Sequence, residues 1–243
     1  DYYASRGLGD VYKRQKQSII PFIRAAQKYN PELTFWTSPW CPPSWMKITG
    51  DYPVLSSKFN HMPEKMNYIL YGNVNDKVDP DEMKLVGRRG DKFPRQLATT
   101  DYFIQDPRYL QAYANYFCKF IDAYKEQGVN IDMVIYQNEA YSYTPYPGCA
   151  WTAEGTVRFN RDYLGPTLRQ KHPEVKLYLG TFNTNRVDYV QKIASDTKLQ
   201  EYVSGMAFQW EGRESLPVLR KEHPEWNYMC CLLYKSDAAD DRI

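Results

Sequence analysis

The chain has 243 residues, enough for one sizeable core or one barrel, and a net charge of only +2. It shows no basic run, no zinc-type cysteine or histidine spacing and no phosphate-cradling glycine loop, so no nucleic-acid partner, metal or nucleotide cofactor is indicated. No apolar run approaches the roughly 20 residues a membrane helix needs, and the five cysteines are spread without a readable disulfide framework.

The two ends read as foreign. Asp10 to Gln15 is DVYKRQ, which GAT GTG TAT AAG AGA CAG encodes. The reverse complement of that DNA, read one base out of frame, gives CLLYTS, and Cys231 to Ser236 is CLLYKS. Opposite-strand readings of one segment at both ends resemble translated sequencing adapters. Residues 1–15 and 231–243 are therefore set apart from the fold as adapter-like, and 16–230 is expected to be an internal fragment.

In chain order, the first element is a helix from Ser18 to Tyr29, with Ile19, Ile20, Ile23 and Ala26 on one face and Pro21 in the first turn. Leu33 to Thr37 reads as a strand that runs into a rigid loop carrying Pro39, Pro42 and Pro43. Gly50 to Asp101 mixes proline, glycine, asparagine and charge and reads as a long excursion. Asp106-Pro107 starts a helix whose stripe is Leu110, Tyr113, Phe117, Phe120, Ile121 and Tyr124, with Gly128 as its stop.

Met133 to Ala140, MVIYQNEA, is a short apolar run ending in an Asn-Glu pair, the pattern of a strand buried on both faces. A loop rich in tyrosine and proline follows, then a helix from Thr152 to about Lys171. Val175 to Gly180 and Val203 to Phe208 read as strands separated by a helix over Val187 to Ala194. Ser215 to Glu222 is a short helix, and Trp226 to Met229 begins a last strand. Strands alternating with helices imply parallel β-α units. Five strands and a long insert predict an incomplete (β/α)8 TIM barrel, about five of eight strands, with first and last strands left as open edges. An open doubly wound sheet fits the same alternation, although the glycine-rich first turn that usually accompanies it is missing.

Four strands end in polar or aromatic groups that one pocket could gather: Ser38-Pro39-Trp40, Gln137-Asn138-Glu139, Thr181-Phe182-Asn183 and Gln209-Trp210-Glu211. Each is weak alone. Asn-Glu at a strand end is more often a surface pair, Trp40 a packing residue and Asn183 a turn residue. Their recurrence at successive strand ends favours a site, and a carboxyl beside an amide suits sugar chemistry. The 22 tyrosines and 6 tryptophans are compatible with aromatic faces for sugar rings, although packing accounts for most of them.

The motifs WTSPWCPPSWMK (Trp36 to Lys47), YQNEA (Tyr136 to Ala140), GMAFQWEG (Gly205 to Gly212) and HPEWNYM (His223 to Met229) resemble glycoside hydrolase family 30, the glucosylceramidase and β-1,6-glucanase type. The resemblance covers Ser18 to Cys230. It implies a (β/α)8 barrel that cleaves β-glucosidic bonds with retention, without a cofactor, on a β-glucan or β-glucoside. By resemblance Glu139 is the general acid/base, Asn138 binds the 2-hydroxyl, Trp40, Gln209 and Trp210 form the subsite floor, and Trp151 lies near the rim. A secreted or periplasmic location is implied in the same way. Two departures stand out: Ala140 where the family more often has proline, and Gln209-Trp210-Glu211 where many members have His-Trp-Tyr. The family's nucleophile belongs just past Met229, where Cys230 and the adapter-like tail stand instead, and Asp237 and Asp240 in that tail should not substitute. The fragment is thus expected to be inactive. The competing readings are a carbohydrate-binding pseudoenzyme on the same barrel, and a glycosidase of another barrel family, against which the Pro39–Pro43 loop argues.

Overall fold

A computed structural model describes residues 15–63, 101–142 and 144–232. The first helix, α1 (Ile20–Tyr29), follows a π-helical turn at Gln15–Ile19 and has Pro21 in its first turn, where the missing N–H costs nothing. Strand β1 (Trp36–Thr37) ends where the sequence suggests but starts later than Leu33, because Leu33 N turns back to Asn30 O at 3.4 Å and Phe35 N is taken by the Asp132 carboxylate at 2.6 Å. Of the excursion read over Gly50 to Asp101, the described part, residues 50–63 and Asp101, contains no helix, and its one ladder contact is a bridge from Pro53 to Pro147. Residues 64–100, which hold the rest of it, lie outside the described residues.

Helix α2 (Pro107–Lys125) starts as its sequence dictates: the Asp106 side chain accepts a hydrogen bond from Arg108 N and Pro107 fills the first position. Its buried face is Leu110, Tyr113, Ala114, Phe117, Cys118, Ile121 and Tyr124. It ends shortly before Gly128, whose φ of +73° suits glycine. Strand β2 (Met133–Ile135) follows. The next helix is interrupted: α3 (Ala153–Phe159) and α4 (Gly165–Lys171) are joined by a π-helical stretch at Asn160–Leu164. Thr152 caps α3 by accepting from Gly155 N at 2.9 Å.

Strand β3 (Lys176–Phe182) leads to α5 (Val187–Ala194) and to a single-turn helix, α6 (Thr197–Gln200), that the sequence reading missed. Its signal was Asp196, which caps it through Leu199 N at 2.8 Å. Strand β4 (Val203–Gln209) passes through a 3-10 segment, Trp210–Ser215, into α7 (Leu216–Glu222), and β5 (Asn227–Leu232) closes the described part.

Among the described strands all pairings are parallel and the order is β1-β2-β3-β4-β5. A sheet that grows in chain order never reverses direction, and right-handed crossovers then put every helix on one side. That is an incomplete α/β barrel, not the doubly wound sheet, which needs a switch point. Among the described strands, β1 and β5 are the open edges. A cleft of about 800 Å³ lined by Leu216, Arg220, Trp226, Tyr228 and Met229, among others, runs along the β5 edge, and none of the polar strand-end residues lines it.

Two apolar clusters fill the space between sheet and helices, one under α2 and α3 and one under α5 and α7. A third, smaller cluster of Ile135, Tyr178 and Ala207, flanked by Met133 and Met229, forms a separate layer within the sheet. Two positions beyond Ile135 and Ala207 the chain places Gln137 and Gln209, both buried. Apolar layers therefore give way to amides at the carboxyl ends of the strands, the end where barrels of this type gather their polar groups.

Candidate active site

Glu139 and Trp210 each follow the end of a strand and each adopts a left-handed backbone, with φ of +50° and +51°. Such a conformation costs a non-glycine residue on the order of 1–3 kcal/mol and persists where its surroundings enforce it. The two strained residues meet: Trp210 Nε1 donates to Glu139 Oε1 at 2.7 Å. Ser142 Oγ donates to the other carboxylate oxygen, Oε2, at 2.8 Å, and Asn183 Nδ2 donates to Ser142 Oγ at 2.6 Å. A tight turn closed by Ser142 N on Glu139 O at 2.9 Å puts the serine there. Gly212 lets the Trp210–Ser215 segment close on the end of β3, since a Cβ on it would stand 2.0 Å from Phe182 O.

Asn138 is held as firmly. Its Oδ1 accepts from Gln209 Nε2 at 3.0 Å and from Thr181 Oγ1 at 3.2 Å. Thr181 Oγ1 in turn accepts from Glu139 N at 3.1 Å, so one hydroxyl ties the asparagine amide to the backbone of the glutamate. With Oδ1 satisfied twice, the Nδ2 donors are the part of this amide available to a ligand. Gln209 Oε1 and Asn183 Oδ1 are buried acceptors without a protein donor. Buried polar atoms are normally paired, so this cluster offers acceptors to hydroxyl groups as well as a donor and a carboxyl.

Trp40 comes to the same place along the chain. Its carbonyl accepts from Gln137 Nε2 at 2.7 Å, and Pro39 O accepts from Asn138 N at 2.8 Å. The ring is 55% exposed. Glu139, Asn138, Gln209 and Trp210 are thus joined by side-chain hydrogen bonds, with Trp40 attached through its backbone. Trp151 is different, and its assignment to the rim is corrected here. It is 0% exposed, stacks on Phe103 at 4.9 Å and on Phe159 at 5.4 Å, and cannot touch a ligand. Its Nε1 donates to Gln137 Oε1 at 3.4 Å, so it supports the amide that anchors Trp40. Sequence reading missed Ser142, in a loop noted only for tyrosine and proline, and it read Thr181 and Asn183 as strand-end polarity without a partner.

The register of β5 bears on the position expected for a nucleophile, just past Met229. Phe208 pairs with Cys230, and after an irregularity Gln209 pairs with Leu232. The position alongside Gln209 is therefore occupied by leucine. Asp237 and Asp240 lie outside the described residues.

The family model described as "Glycosyl hydrolase family 30 TIM-barrel domain" matches residues 9–59 and 102–241, which takes in parts of both terminal segments and omits the long insert. The chain is 26% identical over 192 residues to endo-1,6-beta-D-glucanase neg1 of Aspergillus fumigatus, covering 79% of this chain and 32% of that protein. It is 29% identical over 199 residues to the lysosomal acid glucosylceramidase of Mus musculus, covering 79% and 30%. Among solved structures, the endo-beta1,6-glucanase BT3312 matches with a TM-score of 0.62 at 24% identity, over 89% of this chain and 41% of that one. SrfJ from Salmonella typhimurium matches with a TM-score of 0.64 at 19% identity, over 93% and 42%. The chain spans about a third of the length of the curated relatives it matches. A family match over most of its length, on a parallel sheet of barrel topology, shows that this chain belongs to glycosyl hydrolase family 30.

Proposed function

We propose that this chain is the barrel portion of a retaining β-glycoside hydrolase that acts on β-glucosidic bonds by double displacement, with Glu139 as its general acid and base. The observation that carries the reading is the Asn138–Glu139 pair at the carboxyl end of β2, oriented by Trp210, Ser142, Thr181 and Gln209. Relatives named for a 1,6-β-glucan and for glucosylceramide support glucosides as the substrate class. An extracellular or periplasmic setting belongs to the same reading.

In the first step Glu139 gives its proton to the glycosidic oxygen while a second carboxylate attacks the anomeric carbon and the C–O bond breaks. In the second step Glu139 takes a proton from water, the water oxygen bonds the anomeric carbon, and the bond from that carbon to the second carboxylate breaks to release the sugar. Asn138 Nδ2 donates to the hydroxyl beside the reacting carbon, and Gln209 Oε1 and Asn183 Oδ1 accept hydrogen bonds from other hydroxyls. The geometry requires the two carboxyl groups about 5–5.5 Å apart. Leucine at the strand position alongside Gln209 supports the reading that this chain supplies the proton donor and not its partner.

The test is turnover of an aryl β-glucoside. The 243-residue chain should show none, and Leu232→Glu should introduce it, with Leu232→Gln and the Leu232→Glu/Glu139→Gln double variant inactive. Turnover by the unaltered chain that Glu139→Gln abolishes would refute the missing partner. Sugar binding with no turnover in Leu232→Glu would favour the second reading, a carbohydrate-binding barrel without catalysis.

A further inference from the structure

Trp40 and Tyr146 are 55% and 43% exposed, and their ring centroids lie 6.0 Å apart with the planes at 47°. We propose that Tyr146, packed against Trp40, gives an aromatic platform for a second glucosyl unit of a β-linked gluco-oligosaccharide, next to the unit held by Asn138 and Gln209. The inference rests on the sugar-site reading above and extends it to the length of substrate the site grips.

Position is the first ground. The Trp40 carbonyl is bonded to Gln137 and the Pro39 carbonyl to Asn138, so the aromatic pair begins where the polar cluster ends. Rigidity is the second. The turn bearing Tyr146 is fixed by Thr144 Oγ1 donating to Tyr146 O at 3.0 Å, by Gly148 N donating to Tyr52 O at 3.2 Å and by the Pro53–Pro147 bridge. Lys47, 2% exposed, donates from Nζ to the carbonyls of Tyr52, Pro53 and Gly148 at 2.5, 2.9 and 2.8 Å. Burying an ammonium group is costly, and here it ties together the two loops that carry this turn. A ring held in place while exposed needs little ordering when a ligand arrives.

Chemistry is the third ground. A pyranose offers an apolar C–H face inside a rim of hydroxyls, which matches a flat aromatic face bordered by amides. The tilt keeps the two rings from stacking flat on one another. Packing is already served by Phe103, Trp151 and Phe159, all wholly buried, so stability does not call for the exposed pair.

The experiment is a fluorescence titration of the 243-residue chain, at micromolar concentration, with glucose and with the β-1,6-linked glucose disaccharide. The unaltered chain should bind the disaccharide about tenfold more tightly than glucose, the gain of one aromatic contact. Tyr146→Ala should reduce that advantage to about twofold or less without changing glucose affinity. Tyr146→Leu, apolar but not flat, should behave like alanine, and Tyr146→Phe should keep the advantage. Circular dichroism matched to the unaltered chain establishes that each variant folds. Equal disaccharide affinity in folded Tyr146→Ala, Tyr146→Leu and unaltered protein overturns the Tyr146 platform while leaving the sugar site standing. Binding of neither sugar by the unaltered chain overturns the sugar site and the platform with it.

Discussion

Thr181→Val removes one hydroxyl from the centre of the site and nearly keeps the side chain's shape. Thr181 is 0% exposed, accepts from Glu139 N at 3.1 Å and lies 3.2 Å from Asn138 Oδ1. Valine leaves Glu139 N facing a methyl group, at a residue whose φ of +50° needs outside support. It also leaves Asn138 Oδ1 with Gln209 as its donor. An unpaired buried donor costs about 1–3 kcal/mol. Taking about 2 kcal/mol, a chain of this size should lose on the order of 4–8 °C in Tm. Glucose affinity should fall as well, because the Asn138 amide loses one of the two bonds that orient it. Thr181→Ser keeps the hydroxyl and should keep most of the affinity. Thermal melts by circular dichroism and the fluorescence titration read both effects. A Thr181→Val variant that melts with the parent and binds glucose equally would refute the claim that this hydroxyl couples Asn138 to Glu139.

Lys47→Met should destabilise the chain by roughly 2 kcal/mol or more in urea unfolding, because the carbonyls of Pro53 and Gly148 lose their donor at about 1–3 kcal/mol each, and it should also blunt disaccharide binding through the Tyr146 turn. Gly212→Ala should weaken glucose binding and cost about 1–3 kcal/mol in stability, since its methyl meets Phe182 O; a melt unchanged from the parent would contradict the close approach. Hydrogen bonds from the Arg108 side chain and backbone hold the Asp106 carboxyl down to about 2. A carboxyl lowered on folding stabilises above its unfolded value near 4 and loses that contribution as pH falls through about 2. Asp106→Ala should therefore melt below the parent at pH 7, with the gap shrinking as pH falls from 4 toward 2; a constant gap would contradict the pairing.

Helix α2 was readable nearly to the residue because everything that specifies it is local: an aspartate cap, a proline, an apolar stripe and a glycine stop. The strand ends were readable for a related reason. Apolar runs stop where a barrel's interior changes to amides, as at Ile135 to Gln137 and Ala207 to Gln209. The interruption of α3 and α4 by a π-helical stretch was not, since its sequence, NRDYL, keeps helical spacing on either side. Trp151 misled because exposure depends on what packs against a loop, and Phe103, 48 residues earlier, does the burying. Ser142 was invisible for the opposite reason: a serine in a turn is ordinary until the fold brings Asn183 and the Glu139 carboxylate to it.

The most direct measurement is a determined structure of this chain with the β-1,6-linked glucose disaccharide bound. The linking oxygen should lie within about 2.6–3.2 Å of a Glu139 carboxylate oxygen, with one ring against Asn138 and Gln209 and the other against Tyr146. A disaccharide bound with its linking oxygen beyond reach of Glu139, or on the opposite face of the sheet's carboxyl end, would contradict the assignment of Glu139 as the proton donor.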